Sequence, residues 1–446
     1  MDIPLTKPRN VLMDMTSYQW LVLLAAWIGW GFDVFDGLLF NYVAPNCIPT
    51  LLHLAPASIE ARKATLLWTG IVTSALLVGW AVGGIVFGRI ADRIGRSKTL
   101  LITILLYSVG TALCALAPNI WVLLACRIIA SFGIGGEWAA GASMVAEVVP
   151  NKRRVEAGAL LYTSAPIGLF LATFVNHVVA GGLYKSDPSY SWRIVFMVGL
   201  LPAAFAFVLR MFIKEPDRWS AVKDIVSPRL SELFTPGMIK KTVSGLVPAL
   251  SILITWWSFN AFTQLVATFL AATHATDLGL NVAAANGLKE SWKTIASNWF
   301  NWGGLIGTVL TIPAAKYLGR RPMYGIYLAL SATSIFAGFG LKWSPMMQLF
   351  MFFPIGLTIF GIFGSFTFYL PELFPTRLRA TGSGFCYNVG RFVTAIGPLL
   401  VGNLASQGAA SLPTILHVLF FIGFVPVIGL MFLPLIIETK GKELLD

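Results

Sequence analysis

Five charged side chains stand inside long apolar stretches of the chain: Asp33, Asp36, Arg127, Glu137 and Arg391. A charge in such surroundings costs about 2.5–3.5 kcal/mol on membrane-insertion scales, which makes each a candidate for chemistry. Asp33 and Asp36 are three residues apart and share one helix face, and neighbouring carboxylates favour keeping a proton on one of them. That is the chemistry of a proton carrier. At about 1.5 Å per residue, the aspartates lie about 20–25 Å above one end of their helix and Arg127 about 10 Å below the opposite end of its own, so the three are level. The competing reading is a permanent Asp–Arg pair that only joins two helices. Glu137 follows Arg127 at a distance of ten residues, among Gly133, Gly135, Gly136 and Gly141. It reads either as an inward proton relay or as a hydrogen-bonding partner of a neighbouring helix.

Arg391 lies about 16 Å into its apolar stretch, and a guanidinium there offers a planar fork that matches a carboxylate. Asn388, one turn earlier, adds an amide on the same face. These residues are expected to bind an anion; the alternative is a bridge from Arg391 to an aspartate of the first span. The segment from Trp256 to Gln264 adds Trp256, Asn260 and Gln264 as candidate lining residues, the two amides being four apart and so on one face. The cysteines Cys47, Cys114, Cys126 and Cys386 show no C-x-x-C pairing, and the four histidines are scattered. Neither a disulfide framework nor a metal site is expected, and no cofactor beyond a proton gradient.

The elements that position these groups follow from composition. Of 446 residues, 57% are hydrophobic and 12% charged, with a mean hydropathy of +0.76. That is more apolar surface than one soluble core can bury, so lipid is the expected solvent. Apolar runs broken by charge and turn residues give twelve expected spans, at roughly 19–45, 66–88, 99–117, 120–146, 157–180, 194–212, 242–272, 292–315, 322–341, 346–371, 380–405 and 411–437. The residues before Trp20 are mixed and polar and resemble no cleavable leader, so the first span is expected to stay in the membrane. Twenty-three Lys and Arg fall on the side of the N-terminus and seven on the other, Lys289 and Lys293 among the seven. Both termini are therefore expected in the cytoplasm, in a multi-pass protein of the inner membrane. The same rule accounts for the net charge of +12, and no basic soluble domain points to nucleic acid.

The hydrophilic stretch 210–241 reads as a cytoplasmic linker between bundles at 1–209 and 242–446, and the sequence repeats across it. Gly83 with Gly95-Arg96 recurs as Gly307 with Gly319-Arg320, and Glu147, Pro150 and Arg154 recur as Glu372, Pro375 and Arg379. Two elements at nearly the same offset imply a tandem duplication with parallel halves and a central site between them.

Between spans two and three stands Gly88-Arg-Ile-Ala-Asp92-Arg93-Ile-Gly95-Arg96, in which Asp92 can accept from helix-start N–H groups while Arg93 and Arg96 bind carboxylates or phosphates. Gly88, Asp92, Arg93 and Arg96 are expected to latch the cytoplasmic face; the plainer reading is that the cluster obeys the positive-inside rule. This loop resembles the signature motif of the major facilitator superfamily. Gly133 to Trp138, Lys214-Glu215-Pro216 and Glu438 to Lys442 also fall at family positions, so the resemblance covers essentially the whole chain. It implies an all-α fold of twelve transmembrane helices in two pseudo-symmetric six-helix bundles. The second copy of the loop departs from the pattern at Ile312 and Lys316.

Within that superfamily, Asp33-Val34-Phe35-Asp36 is similar to the Asp-Gly-x-Asp element of the aromatic-acid and sialate proton symporters, with valine for glycine. Arg127, Gly135-Gly136-Glu137-Trp138 and Tyr387-Asn388-Val-Gly-Arg391 fit the same group, and Asn260-x-x-Thr263-Gln264 faintly resembles the monocarboxylate permeases. The resemblance implies uptake of a small organic anion with protons. The expectation is thus a transporter working by alternating access as a monomer, its partners an organic anion, protons and the bilayer, and not an enzyme. Rival readings are a carrier of sugars or other neutral or cationic metabolites with Arg391 as a gate, and a transporter-like receptor that senses a ligand.

Overall fold

The computed structural model describes residues 15–56, 58–94, 96–150, 153–201, 204, 207–208, 229–375, 378–407 and 412–441. The described chain is all-helical. In order the helices are α1 Ser17–Leu51, α2 Ile59–Ile94, α3 Arg96–Ala115, α4 Ile120–Val148, α5 Arg154–Tyr162, α6 Ser164–Val178 and α7 Pro188–Val198, then α8 Ile239–Asp277, α9 Val282–Pro313, α10 Arg320–Gly340, α11 Pro345–Phe350, α12 Phe352–Leu373, α13 Arg379–Thr394, α14 Ile396–Ser406, α15 Leu412–Ile422 and α16 Phe424–Met431. The starts are chemically marked. Thr16 and Gln19 form a capping box before α1, Asn119 accepts from the N–H groups of Trp121 and Val122, and Asn281 accepts from that of Ala284. Each satisfies backbone donors that have no helical partner.

Ten described stretches are long and apolar enough to cross a membrane. Of the two other expected spans, the eighth is α9, 32 residues long but carrying Lys289, Glu290 and Lys293. The sixth begins in α7 and is only partly described. α9 starts well before the expected boundary at 292, so Lys289 and Lys293 belong to a helix and not to a connection, and Lys293 is buried. The loop of the signature motif is shorter than the sequence suggests, because α2 runs on to Ile94 and α3 begins at Arg96. The linker residues 209–228 lie outside the described residues; beyond them a short 3-10 turn, Leu230–Phe234, leads into α8.

The duplication has a packing counterpart. A Cβ on Gly83 of α2 would collide with the carbonyl of Phe132 in α4, and one on its repeat partner Gly307 of α9 would collide with the carbonyl of Leu357 in α12. Glycine at these crossings lets backbones approach where lipid supplies no hydrophobic drive. A second correspondence lies inside one span of each half. The helix pair α5/α6 is interrupted at Thr163 and the pair α13/α14 at Ala395, each three residues before a proline, Pro166 and Pro398. Proline lacks the N–H that would bond four residues back, which accounts for both interruptions.

Consecutive spans run in alternate directions, each of the pairs α5/α6, α11/α12, α13/α14 and α15/α16 counting as one, so the bundle has an end that holds the described termini and a far end. Leu51, Ile59, Ile120, Val178, Asp277 and Val282 are at the far end.

Candidate functional site

Arg391 is 2% exposed at the contact between the halves. Its guanidinium lies 4.4 Å from the ring centre of Trp80 on α2 and 4.5 Å from that of Tyr387 on its own helix. Nη1 donates to Asn388 Oδ1 at 3.1 Å. Stacking on a ring face stabilises a desolvated guanidinium by about 2 kcal/mol, so the aromatic frame offsets part of the cost of burying the charge. The frame extends outward through Trp257, edge-on to Trp80 at 5.6 Å, and Trp256, edge-on to Trp257 at 4.6 Å. It extends in the other direction through Tyr162, whose hydroxyl lies 3.3 Å from that of Tyr387 and whose ring stacks on Phe363. Residues of both halves thus enclose one cation in aromatic faces. Trp256 connects to Arg391 only through Trp257 and Trp80, while Asn388 serves the arginine through its oxygen.

The two amides of α8 diverge. Asn260 crosses the interface, accepting from Asn41 Nδ2 of α1 at 3.0 Å, and Thr73 of α2 donates to Asn41 Oδ1 at 3.4 Å. Gln264 stays in its own half and exchanges hydrogen bonds with Ser297 of α9, 2.9 and 3.1 Å long. One turn of helix separates the two, but the neighbours on either side differ.

Asp33 and Asp36 are both buried on α1. Thr111 of α3 donates to Asp36 Oδ2 at 2.7 Å. Arg127 donates to backbone, with Nη1 on the Asp36 carbonyl at 3.3 Å and Nη2 on the Gly37 carbonyl, and it lies 6.0 Å from the ring centre of Phe196. The arginine therefore pins the α1 backbone beside the carboxylates. Asp36 Oδ1 has no hydrogen-bond partner among the described residues. A buried carboxylate bonded on one oxygen by a neutral hydroxyl is poorly solvated as an anion. Glu137 is buried on α4, with Thr103 of α3 donating to its Oε2 at 3.4 Å, which keeps it inside its own half.

Of the expected latch, Gly88, Asp92, Arg93 and Arg96 belong to α2 and α3, but their side chains lie outside the described residues. The second copy of the loop makes a contact that its departures from the pattern did not suggest. Lys316 donates to Glu156 of the other half at 2.7 Å, and Arg320 grips Glu372 through two nitrogens at 3.1 and 2.7 Å. Thr439 donates to the same carboxylate at 2.6 Å. The backbone N–H groups of Arg320 and Arg321 donate to the carboxylate of Glu438 at 2.9 and 3.0 Å.

A polar cluster absent from the sequence-based expectations joins the halves at the far end. Glu290 and Lys293 of α9 form a buried ion pair of 2.7 Å. Glu290 accepts from Asn46 of α1 at 3.1 Å and Asn176 of α6 at 3.0 Å, and Lys293 donates to the Tyr42 carbonyl at 3.2 Å. The available signal was Asn281, a helix cap whose position carries α9 back through both charges. Elsewhere between the halves, Ser74 of α2 donates to the Ala395 carbonyl at 2.6 Å, and His177 and Thr294 are 3.1 Å apart.

Comparison with known proteins adds the following. The family model described as Major Facilitator Superfamily matches residues 19–398. The chain is 29% identical to a putative metabolite transport protein of Haemophilus influenzae, over 96% of this chain and 99% of that one. It is 28% identical to the cis,cis-muconate transport protein of Acinetobacter baylyi, over 91% of this chain and 92% of that one. A crystal structure of a D-xylose-proton symporter superposes with a TM-score of 0.73 at 19% identity, over 96% of this chain and 100% of that one.

Proposed function

The chain belongs to the Major Facilitator Superfamily, a transporter and not an enzyme, and we propose that it takes up a small organic anion, such as a monocarboxylate or aromatic acid, by proton symport. The observation that carries this reading is the buried Arg391 guanidinium, framed by Trp80 of one half and Tyr387 of the other. A planar anion can take both the fork of the arginine and the faces of the rings. The muconate transport protein among the relatives is named for an organic acid.

Proton coupling rests on Asp36, with Asp33 one turn away on the same helix, Arg127 beside it and Glu137 further along α4. A proton on Asp36 removes the buried negative charge next to Arg127 and allows the loaded halves to rock. We assign the bundles to 1–209 and 242–446, the linker to the cytoplasm, the described termini to the cytoplasmic face of the inner membrane, and the far end to the outside. The basic residues of the linker and of the terminus end support that orientation. Gly88, Asp92, Arg93 and Arg96 are assigned to the cytoplasmic gate, and the unit of function is a monomer that uses the proton gradient and no cofactor.

One observation favours a second reading. The neutral amides Asn41 and Asn260 meet between the halves, as hydroxyl-binding groups of a sugar or other neutral-substrate site would, with Arg391 as a gate.

Uptake of a labelled panel, from lactate and pyruvate to benzoates, sialate and a sugar, into proteoliposomes with an imposed inward proton gradient decides between them. Gradient-driven uptake of one acid, lost in Arg391→Gln and Asp36→Asn, is the expected result. Uptake of a neutral substrate that survives Arg391→Gln would overturn the anion assignment.

A further inference from the structure

The symport reading makes no use of two buried charges on α9. Glu290 and Lys293 sit one helical turn apart with side chains 7% and 1% exposed. Their bonds to the other half go to neutral groups: the amides of Asn46 and Asn176 and the carbonyl of Tyr42. Those three partners come from two helices, α1 and α6, so the cluster spans the contact between the halves.

We propose that Glu290 and Lys293 are the positioning pair of the transport cycle at the far end: an ion pair that stays intact within α9 while its three bonds to the other half form and break, holding this face shut. The assignment rests on the alternating-access reading.

The arrangement has a physical reason. Separating opposite charges across an opening gap would leave each of them desolvated and alone, a large penalty in low-dielectric surroundings. With both charges on one helix, opening separates only hydrogen bonds between charged and neutral groups, and entering water replaces each of them. The pair therefore gives the interface directional bonds without a barrier that would prevent opening. A buried carboxylate and ammonium serving only to stabilise α9 would have no need of donors from two helices of the opposite half.

The test uses the full chain in nanodiscs with spin labels at Leu183→Cys and Val282→Cys. These residues are exposed, belong to opposite halves, and lie at the far end. Pulsed dipolar spectroscopy then reads the distance between the halves. The double variant Asn46→Ala/Asn176→Ala leaves the ion pair in place and so does not change the charge on α9. It is expected to raise the ratio of long to short distances about tenfold, as loss of two hydrogen bonds of ordinary net strength would. Glu290→Gln/Lys293→Met, which keeps the shapes and removes both charges, is expected to move the ratio the same way and to raise the KM for external substrate less than it lowers kcat.

An unchanged distance distribution in the asparagine variant, with a normal melting temperature, overturns the proposal and leaves the pair a structural one. Loss of all folded protein in the charge variant together with an unshifted asparagine variant also overturns it. The outcome is separable from that of the symport reading. A shifted distribution with no acid transported keeps the latch and sinks symport, and proton-driven uptake with an unshifted distribution does the reverse.

Discussion

Arg391 and Trp80 come from opposite halves of the molecule and meet as cation on ring face, 4.4 Å from guanidinium carbon to ring centre. Replacing Trp80 with leucine keeps an apolar side chain and removes the face. A contribution of about 2 kcal/mol for a desolvated cation–π contact predicts a roughly thirtyfold rise in KM for the anion. Trp80→Phe should retain most of the affinity. Arg391→Lys keeps the charge but loses the planar fork, and should fall between the parent and Arg391→Gln. Equilibrium binding of a labelled acid measures all three.

Asp36→Asn replaces the carboxylate bonded by Thr111 with an amide of nearly the same shape. The variant is expected to fold and to exchange labelled for unlabelled substrate across the membrane. It should fail to accumulate substrate under a proton gradient. Loss of exchange together with accumulation would assign Asp36 to substrate binding.

A Cβ on Gly70 of α2 would stand 2.5 Å from the carbonyl oxygen of Pro398 in α14, across the interface. Gly70→Ala should therefore wedge the far end apart, at a cost of about 1–3 kcal/mol to the closed form. The label pair at Leu183 and Val282 should report a longer separation, and uptake should slow while external binding persists.

The exposed Lys316–Glu156 bridge at the opposite end is expected to matter much less. Solvent-exposed ion pairs contribute about 0.2–1 kcal/mol, so Lys316→Ala should change transport less than about fivefold, and high salt should mimic the variant.

Glu438 lies beyond the last span. Burial opposes its ionisation, but the N–H groups of Arg320, Lys440 and Arg321 and the Arg320 charge outweigh burial and hold its carboxyl below the usual glutamate range. A depressed carboxyl contributes stability that is present above its unfolded value, about 4.3, and is lost as pH falls through the lower folded value. Melting temperature in detergent should fall below that pH in the parent and fall less in Glu438→Gln.

The charged groups were legible because membrane surroundings make every charge conspicuous, and the duplication was legible because glycines at crossings recur with the fold. Asp36, Arg127 and Arg391 could be placed by counting along helices. What counting along one helix cannot give is the neighbour. Asn260 and Gln264 share a face in sequence yet face different helices, and Arg127 bonds the backbone of α1, a partner without a sequence signature. Glu290 and Lys293 were hidden for a different reason. Their own charges lower the hydropathy of α9 and moved its expected start to 292, past Glu290 and next to Lys293, so the residues that give the helix its cross-interface bonds also disguised its first part as a connection.

The paired interruptions at Thr163 and Ala395 bear on stiffness. A rod missing one backbone bond bends there at lower cost than anywhere else. These two elements come from opposite halves of the molecule, each with an elastic joint near Tyr162 or Arg391. Ser74 of the other half holds the Ala395 joint at its carbonyl, and Asn176 ties α6 to Glu290 of the other half beyond the Thr163 joint. The molecule is then less a pair of rigid shells than a pair of jaws with jointed teeth.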